Sequence, residues 1–265
     1  SVLAKGQELL AGPIRLIVDG ETPLEGKGEF TSAGPQRVEY RGRAEHPAIT
    51  VESRTVTDYD GCMRVELTLG PADIETSREN VQSTQNPELG TLNTLTLDIP
   101  LRDEMAELWH VTTSGLRSNP YGNTPGGDGV VWTSRTMWSD QRPKAKGRLL
   151  TNFKPYIWLG KNERGLAWFA DNDKGWVLDL ADKDGKLRKP QHQPPLQEVI
   201  RKDGQLILRL HLVQRPVRIT EPRIITFGLM ATPTKPMPED WRRWTTTTHN
   251  LPESHRYITW MMQYW

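Results

Sequence analysis

The chain of 265 residues has a single cysteine, almost no net charge and no long apolar run. One thiol, Cys62, cannot form an internal disulfide framework and cannot build a cysteine-based zinc site. Lysine and arginine total 34 against 33 aspartate and glutamate, so no strong field draws nucleic acid or an anionic membrane. No basic stripe with interleaved aromatics is present either. No apolar stretch approaches the roughly twenty residues of a membrane span, and the start carries no signal-peptide pattern. Its first residues, Ser1-Val-Leu-Ala-Lys-Gly6, read as a strand entered midway. Neither nucleic acid nor a membrane span is therefore expected as a partner.

Several chemical signatures are also missing. There is no Gly-x-Ser-x-Gly, no phosphate loop and no dinucleotide fingerprint, so no cofactor is expected. The six histidines, among them His110 and His211, show no metal-ligand spacing. Asp171-Asn-Asp-Lys-Gly175 and Asp182-Lys-Asp-Gly185 offer hard oxygen ligands but do not match the twelve-residue calcium loop, and no metal is expected. The adjacent carboxylates are Asp103-Glu104 and Glu239-Asp240; neighbouring strand residues point to opposite faces, so neither doublet makes an acid/base pair without a bend. Cys62 follows the turn Asp58-Tyr-Asp-Gly61 and reads as a buried, inert thiol.

What the chain has in quantity is turn residues and alternation. Twenty prolines, 22 glycines and abundant Thr and Val weigh against a helical bundle. Met63-Arg-Val-Glu-Leu-Thr-Leu-Gly70 alternates at period two, the pattern of a half-buried strand. Similar runs occur at residues 14–19, 37–42, 48–57, 92–100 (stopped by Pro100), 107–113, 176–180, 197–201, 205–213 and 223–230, with Asp203-Gly204 as a tight hairpin turn. These patterns predict an all-β fold: a large antiparallel β-sandwich, supersandwich-like, over residues 1–240. A short helical or irregular tail, Trp241 to Trp265, carries Trp241, Trp244, Tyr257, Trp260 and Trp265 as an interface or linker. Leu116–Leu149 reads as a long functional loop and Asp182–Pro195 as a solvated excursion.

The densest signal is Asn152 to Trp176, where two apolar, aromatic runs flank the turn Gly160-Lys-Asn-Glu-Arg-Gly165. Aromatic faces beside charged groups suit a sugar-facing surface, and they equally suit a sandwich core with polar edges. The carbohydrate-binding candidates are Trp132, Trp138, Tyr156, Trp158, Trp168 and Trp176 for stacking, with Glu163, Arg164 and Asp171 as polar partners.

Phe153-Lys-Pro-Tyr-Ile-Trp-Leu-Gly160, Glu163-Arg-Gly-Leu-Ala-Trp-Phe-Ala-Asp171 and Gly175-Trp176 resemble the β-sandwich region of glycoside hydrolase family 123-like proteins. Phe227-Gly-Leu-Met-Ala-Thr-Pro-Thr-Lys-Pro-Met-Pro238 with Trp241-Arg242 looks like that region's closing motif, and Asp58–Gly61 and Leu95–Pro100 fit it too. The resemblance covers about residues 10 to 243. It implies a secreted or periplasmic bacterial protein in which this region precedes a (β/α)8 barrel. Relatives hydrolyse N-acetylgalactosaminides with an Asp-Glu pair in the barrel. That pair has no counterpart here, so no catalytic residue carries over. The expected role is a non-catalytic β-sandwich domain or subunit that braces a catalytic barrel, its partner, and lines the glycan cleft. A stand-alone carbohydrate-binding module is the alternative, and a glycosidase with its own carboxylates ranks last.

Overall fold

The structure is a computed structural model and describes residues 2–72, 90–112, 120–135, 152–162 and 164–234. The long predicted strands are present, and they divide between two antiparallel sheets. The larger has nine strands: β5 (Gly26–Ala33), β6 (Arg37–His46), β7 (Ile49–Asp58), β8 (Cys62–Gly70), β10 (Leu108–Thr112), β11 (Tyr121–Asn123), β13 (Tyr156–Lys161), β14 (Arg164–Phe169) and β17 (Arg223–Thr232). They lie in the order β11-β10-β13-β14-β17-β8-β7-β6-β5. The smaller has six: β3 (Arg15–Val18), β4 (Thr22–Pro23), β9 (Leu95–Arg102), β12 (Gly129–Thr133), β15 (Gln197–Lys202) and β16 (Gln205–Val213), in the order β12-β15-β16-β9-β3-β4. A two-residue ladder, β1 (Leu3–Ala4) with β2 (Gln7–Glu8), opens the chain.

Alternation explains which side chains meet. On β9 and β16, Leu97 stands opposite Leu210, Ile99 opposite Leu208 and Leu101 opposite Leu206, and all six are buried. The intervening positions face out. There Arg209 grips Asp98 through two bonds of 2.8 and 2.7 Å, and His211 meets Glu198 at 2.9 Å. The large sheet answers with Val65, Leu67 and Leu69 on β8, Ile225, Phe227 and Leu229 on β17, and Ile157 and Leu159 on β13. Such interdigitated inner faces are the core of a sandwich.

Four expectations need correction. The opening residues do not run on as one strand to Gly6: Lys5 and Gly6, both at positive φ (49° and 74°), turn the two-residue β1 back onto β2. Pro100 does not stop β9, which runs on to Arg102. The Pro100 carbonyl accepts from the Ala11 amide rather than from β16, so the missing N–H also faces the segment before β3, where β3 no longer pairs. Trp176–Leu180 is not a strand; only Val177 makes a bridge there, to Val213. Finally, the stretch taken as one loop contains β11 and β12. Residues 116–119 and 136–149 of that loop, the 240/241 boundary and the whole tail lie outside the described residues.

One buried group sets a pH dependence. Lys154 is 1% exposed, its backbone clamped by the Gln197 side chain at 3.0 and 2.8 Å. Burial pushes its ammonium from the ordinary 10.5 down to about 8. Between those values the unfolded chain holds a proton that the folded chain has released, so stability rises with pH across that window. Chemical denaturation should show this rise, and Lys154→Met should remove it. Ile99→Ala, in the centre of β9, should cost about 2–5 kcal/mol in the same assay; a loss below about 1 kcal/mol would contradict the packing described.

Candidate functional site: the outer face of the nine-stranded sheet

The β13–β14 hairpin sorts the candidate aromatics between two faces. Its strands are joined through Asn162, at φ 50°, with Trp158 opposite Ala167 and Ile157 opposite Trp168. Because successive side chains alternate, Ile157, Leu159, Leu166 and Trp168 go inward while Tyr156, Trp158 and Phe169 go outward. Trp168 is 1% exposed and packs edge-on to Phe153, which also meets Trp176, with centroids 6.2 and 5.9 Å apart. Trp132 reaches the core from β12 and stands edge-on to Trp109 of the opposite sheet at 5.5 Å. As sugar platforms, Trp132, Trp168 and Trp176 are therefore corrected: they are core side chains with no ring face toward solvent. Trp132 and Trp168 also bury their indole N–H groups without an acceptor among the described residues, at a cost of about 1–3 kcal/mol each.

The outward set forms a different surface. Trp158 is half-buried, and its indole N–H donates to Thr232 Oγ1 at 2.9 Å. Thr232 in turn donates to the Gly165 carbonyl at 3.3 Å. Gly160 and Gly165 face each other across the hairpin, and a Cβ on either would collide with the Trp158 ring. Two glycines thus let the indole lie flat across the strands. Phe169 repeats the arrangement: it pairs with Gly228 on β17, where a Cβ would strike its ring. His110 pairs with Trp158 from β10 and makes an edge-on contact with Tyr156 at 6.0 Å. Burial lowers the His110 pKa and raises that of Tyr156, so both are neutral at pH 7. Tyr121, 62% exposed, and Met230 extend the patch to either side.

Beside Phe169 lies a depression of about 680 Å³, lined by Cys62, Arg64, Asp171, Asn172, Lys174 and Thr226 among others. Asp171 sits there as an exposed carboxylate just past β14. Cys62 is half-buried rather than buried, and desolvation, then Asp60 and Asp58, raise its thiol pKa, which keeps it protonated and unreactive. Arg164 is half-buried, and its guanidinium donates to the Gln7 amide oxygen. Trp138, Glu163 and the five tail aromatics lie outside the described residues.

Across β17 the same outer face changes character. On β6, β7 and β8 it is a ladder of ion pairs: Arg54 bonds Glu39 at 2.8 Å and Glu66 at 3.2 Å, and Arg64 bonds Glu66 at 2.9 Å. Arg54 and then Arg41 hold the Glu39 carboxyl down to about 2. Glu39 and Glu8 are both displaced downward, the opposite of what a general acid requires. Among the described residues no three His, Cys, Asp or Glu side chains gather in a metal-like group.

Sequence reasoning found Tyr156, Trp158 and Asp171 on this face but missed His110, Phe169, Tyr121 and Met230. The usable signal was parity, since Phe169 shares the outward phase of Tyr156 and faces a glycine on β17.

No family model matches the chain, and no curated protein does. Among solved structures it is distantly similar to a glycoside hydrolase, the α-N-acetylgalactosaminidase NagBb from Bifidobacterium bifidum in complex with GalNAc, at 10% identity and a TM-score of 0.41. The match covers 84% of this chain and 31% of that one, so the chain spans less than a third of the enzyme's length.

Two measurements follow from this geometry. Gly228→Ala should displace the Phe169 ring and destabilise the chain by about 1–3 kcal/mol in denaturant titration. Alkylation of Cys62 by iodoacetamide at pH 8 should run slower than that of free cysteine; an equal or faster rate would show an activated thiolate.

Proposed function

We propose that this chain is a non-catalytic β-sandwich module of a glycoside-hydrolase-like protein, and that the aromatic half of its outer sheet face braces a neighbouring catalytic barrel. One observation carries the reading: a single sheet face is ion-paired on β6–β8 and aromatic on β10, β13 and β14. Ion pairs suit water. Flat, half-buried Trp and Phe rings over glycines suit a covering surface, because aromatic residues are enriched and charges depleted at the centres of interfaces. The occupant proposed is a (β/α)8 barrel, which is what the sequence resemblance to family 123-like proteins implies.

The non-catalytic part rests on the carboxylates. Asp98, Asp103 and Glu39 each sit against an arginine at 3.0 Å or less, and a retaining or inverting pair needs one carboxyl kept protonated. A glycan-binding role for this same face is favoured by the depression beside Phe169, whose aromatic floor and Asp171, Asn172 and Lys174 rim match the chemistry of a pyranose.

The reading frame of the gene should continue past codon 265 into a (β/α)8 barrel; a stop codon there would remove the bracing role. The isolated chain should not turn over aryl N-acetylgalactosaminides. Measurable turnover by the isolated chain would overturn the non-catalytic assignment.

A further inference from the structure

The nine-stranded sheet overhangs the six-stranded one. Beyond β8, strands β7, β6 and β5 continue past the last strands of the smaller sheet, β3 and β4, and leave a groove of about 440 Å³ between them. Its floor is the inner face of those strands, the face opposite the aromatic patch.

The rows across that floor are fixed by register. In one row Phe227 faces Val65, Val65 faces Thr55, Thr55 faces Tyr40 and Tyr40 faces Phe30. In the next, Ile225, Leu67, Ser53, Gly42 and Gly28 stand in line. Both rows begin as core: Phe227, Val65, Ile225 and Leu67 are buried. Both then turn to hydroxyls, half-buried at Thr55 and Ser53, and end in an aromatic pair and two glycines. A sheet that merely lacked a cover would show polar, long side chains here, as its outer face does. Small hydroxyls and glycines leave room instead.

Glycine inside a strand weakens it and marks a close approach by another group. At Gly28 that group is the Tyr40 ring, into which a Cβ would collide. Tyr40 therefore lies over β5 at Gly28, and it lines the groove. Phe30, 69% exposed, stands edge-on to it at 5.3 Å. A Cβ at Gly42 would crowd Ser53 Oγ at 2.8 Å, so that hydroxyl too is left clear. Four charged residues line it, Arg15, Glu25, Lys27 and Arg43. Lys27 and Arg43 stand opposite each other in the phase of the outer face, where Arg43 is ion-paired with Glu45 and Glu52, so Arg15 and Glu25 are the charges left to the inner rim.

We propose that this groove binds a neutral pyranose residue of a glycan, with its C–H face on the Tyr40 ring and its hydroxyls on Ser53 and Thr55. A fatty acyl chain is the poorer fit. It would use the apolar wall of Ile14, Leu16 and Leu24, but would leave three floor hydroxyls desolvated without partners. The site stands on the inner face and is independent of the bracing role of the outer one.

Saturation-transfer NMR on the whole chain tests it, with methyl β-glucopyranoside, methyl β-galactopyranoside and their 2-acetamido counterparts as probes. Transfer to the C–H protons of at least one is expected. Thr55→Val, which keeps the side-chain shape, should weaken it several-fold with an unchanged amide spectrum, and Tyr40→Ala should abolish it. If Tyr40→Ala does not fold, Thr55→Val carries the comparison. Trp158→Ala should leave the transfer intact. The proposal is overturned by no transfer from any of the four sugars. It is equally overturned by transfer that survives Thr55→Val unchanged, by transfer lost in Trp158→Ala but kept in Thr55→Val, or by dodecanoate binding in the groove where the sugars do not.

Discussion

The register of the β13–β14 hairpin is the constraint on which the rest depends. Side chains in a strand alternate, so a slip of one residue would exchange the two faces. Trp168 would leave its contacts with the core, and Tyr156 and Phe169 would enter a space shaped for other rings. Asn162 in its left-handed turn and Gly160 opposite Gly165 hold that register. The glycines do so by steric means: only with hydrogen at both positions can the Trp158 ring lie across them. One hairpin thus supplies a core tryptophan to the sandwich and a flat indole to the outside, and β17 extends both by placing Leu229 inward and Gly228 under Phe169.

The three surfaces of the large sheet follow from what covers each. Its inner face is apolar wherever the small sheet stands opposite. Past that sheet's edge, the same phase of β5, β6 and β7 carries Tyr40, Ser53, Thr55 and glycines, because no leucines are there to meet. The outer face is a ladder of Arg and Glu on β6–β8 and a bed of rings on β10, β13 and β14. Exposed ion pairs of this kind contribute little stability, about 0–1 kcal/mol each, and their value is solubility. The aromatic half has no such role in water, which is why it is the half assigned to a partner.

Much of this was legible from period and turn chemistry. Met63–Gly70, the hairpin after Phe153 and the Asp203-Gly204 turn were readable because alternation and turn residues agree. Strand β5 was not, since its eight residues are all exposed and its inward positions are Gly26, Gly28 and Phe30 rather than aliphatics. Trp176 looked like strand because aromatic and aliphatic residues follow one another there; it enters the core from a loop instead. The alternation of Tyr156 to Phe169 showed that its aromatics divide between two faces, but not which half is buried. That choice is made by the second sheet, whose Leu97, Ile99 and Leu208 come from distant parts of the chain. The groove at Tyr40 was invisible for the same reason, as it exists only where one sheet outruns the other.

The most direct test of the account is hydroxyl-radical footprinting of the chain alone and of the protein extended by the codons that follow it. In the isolated chain Tyr156, Trp158 and Phe169 should be oxidised while Trp132, Trp168 and Trp176 are spared. In the extended protein the first three should become protected. Equal oxidation of Trp158 and Phe169 in both, or ready oxidation of Trp168 in the folded chain, would contradict the division of faces and the role given to the outer one.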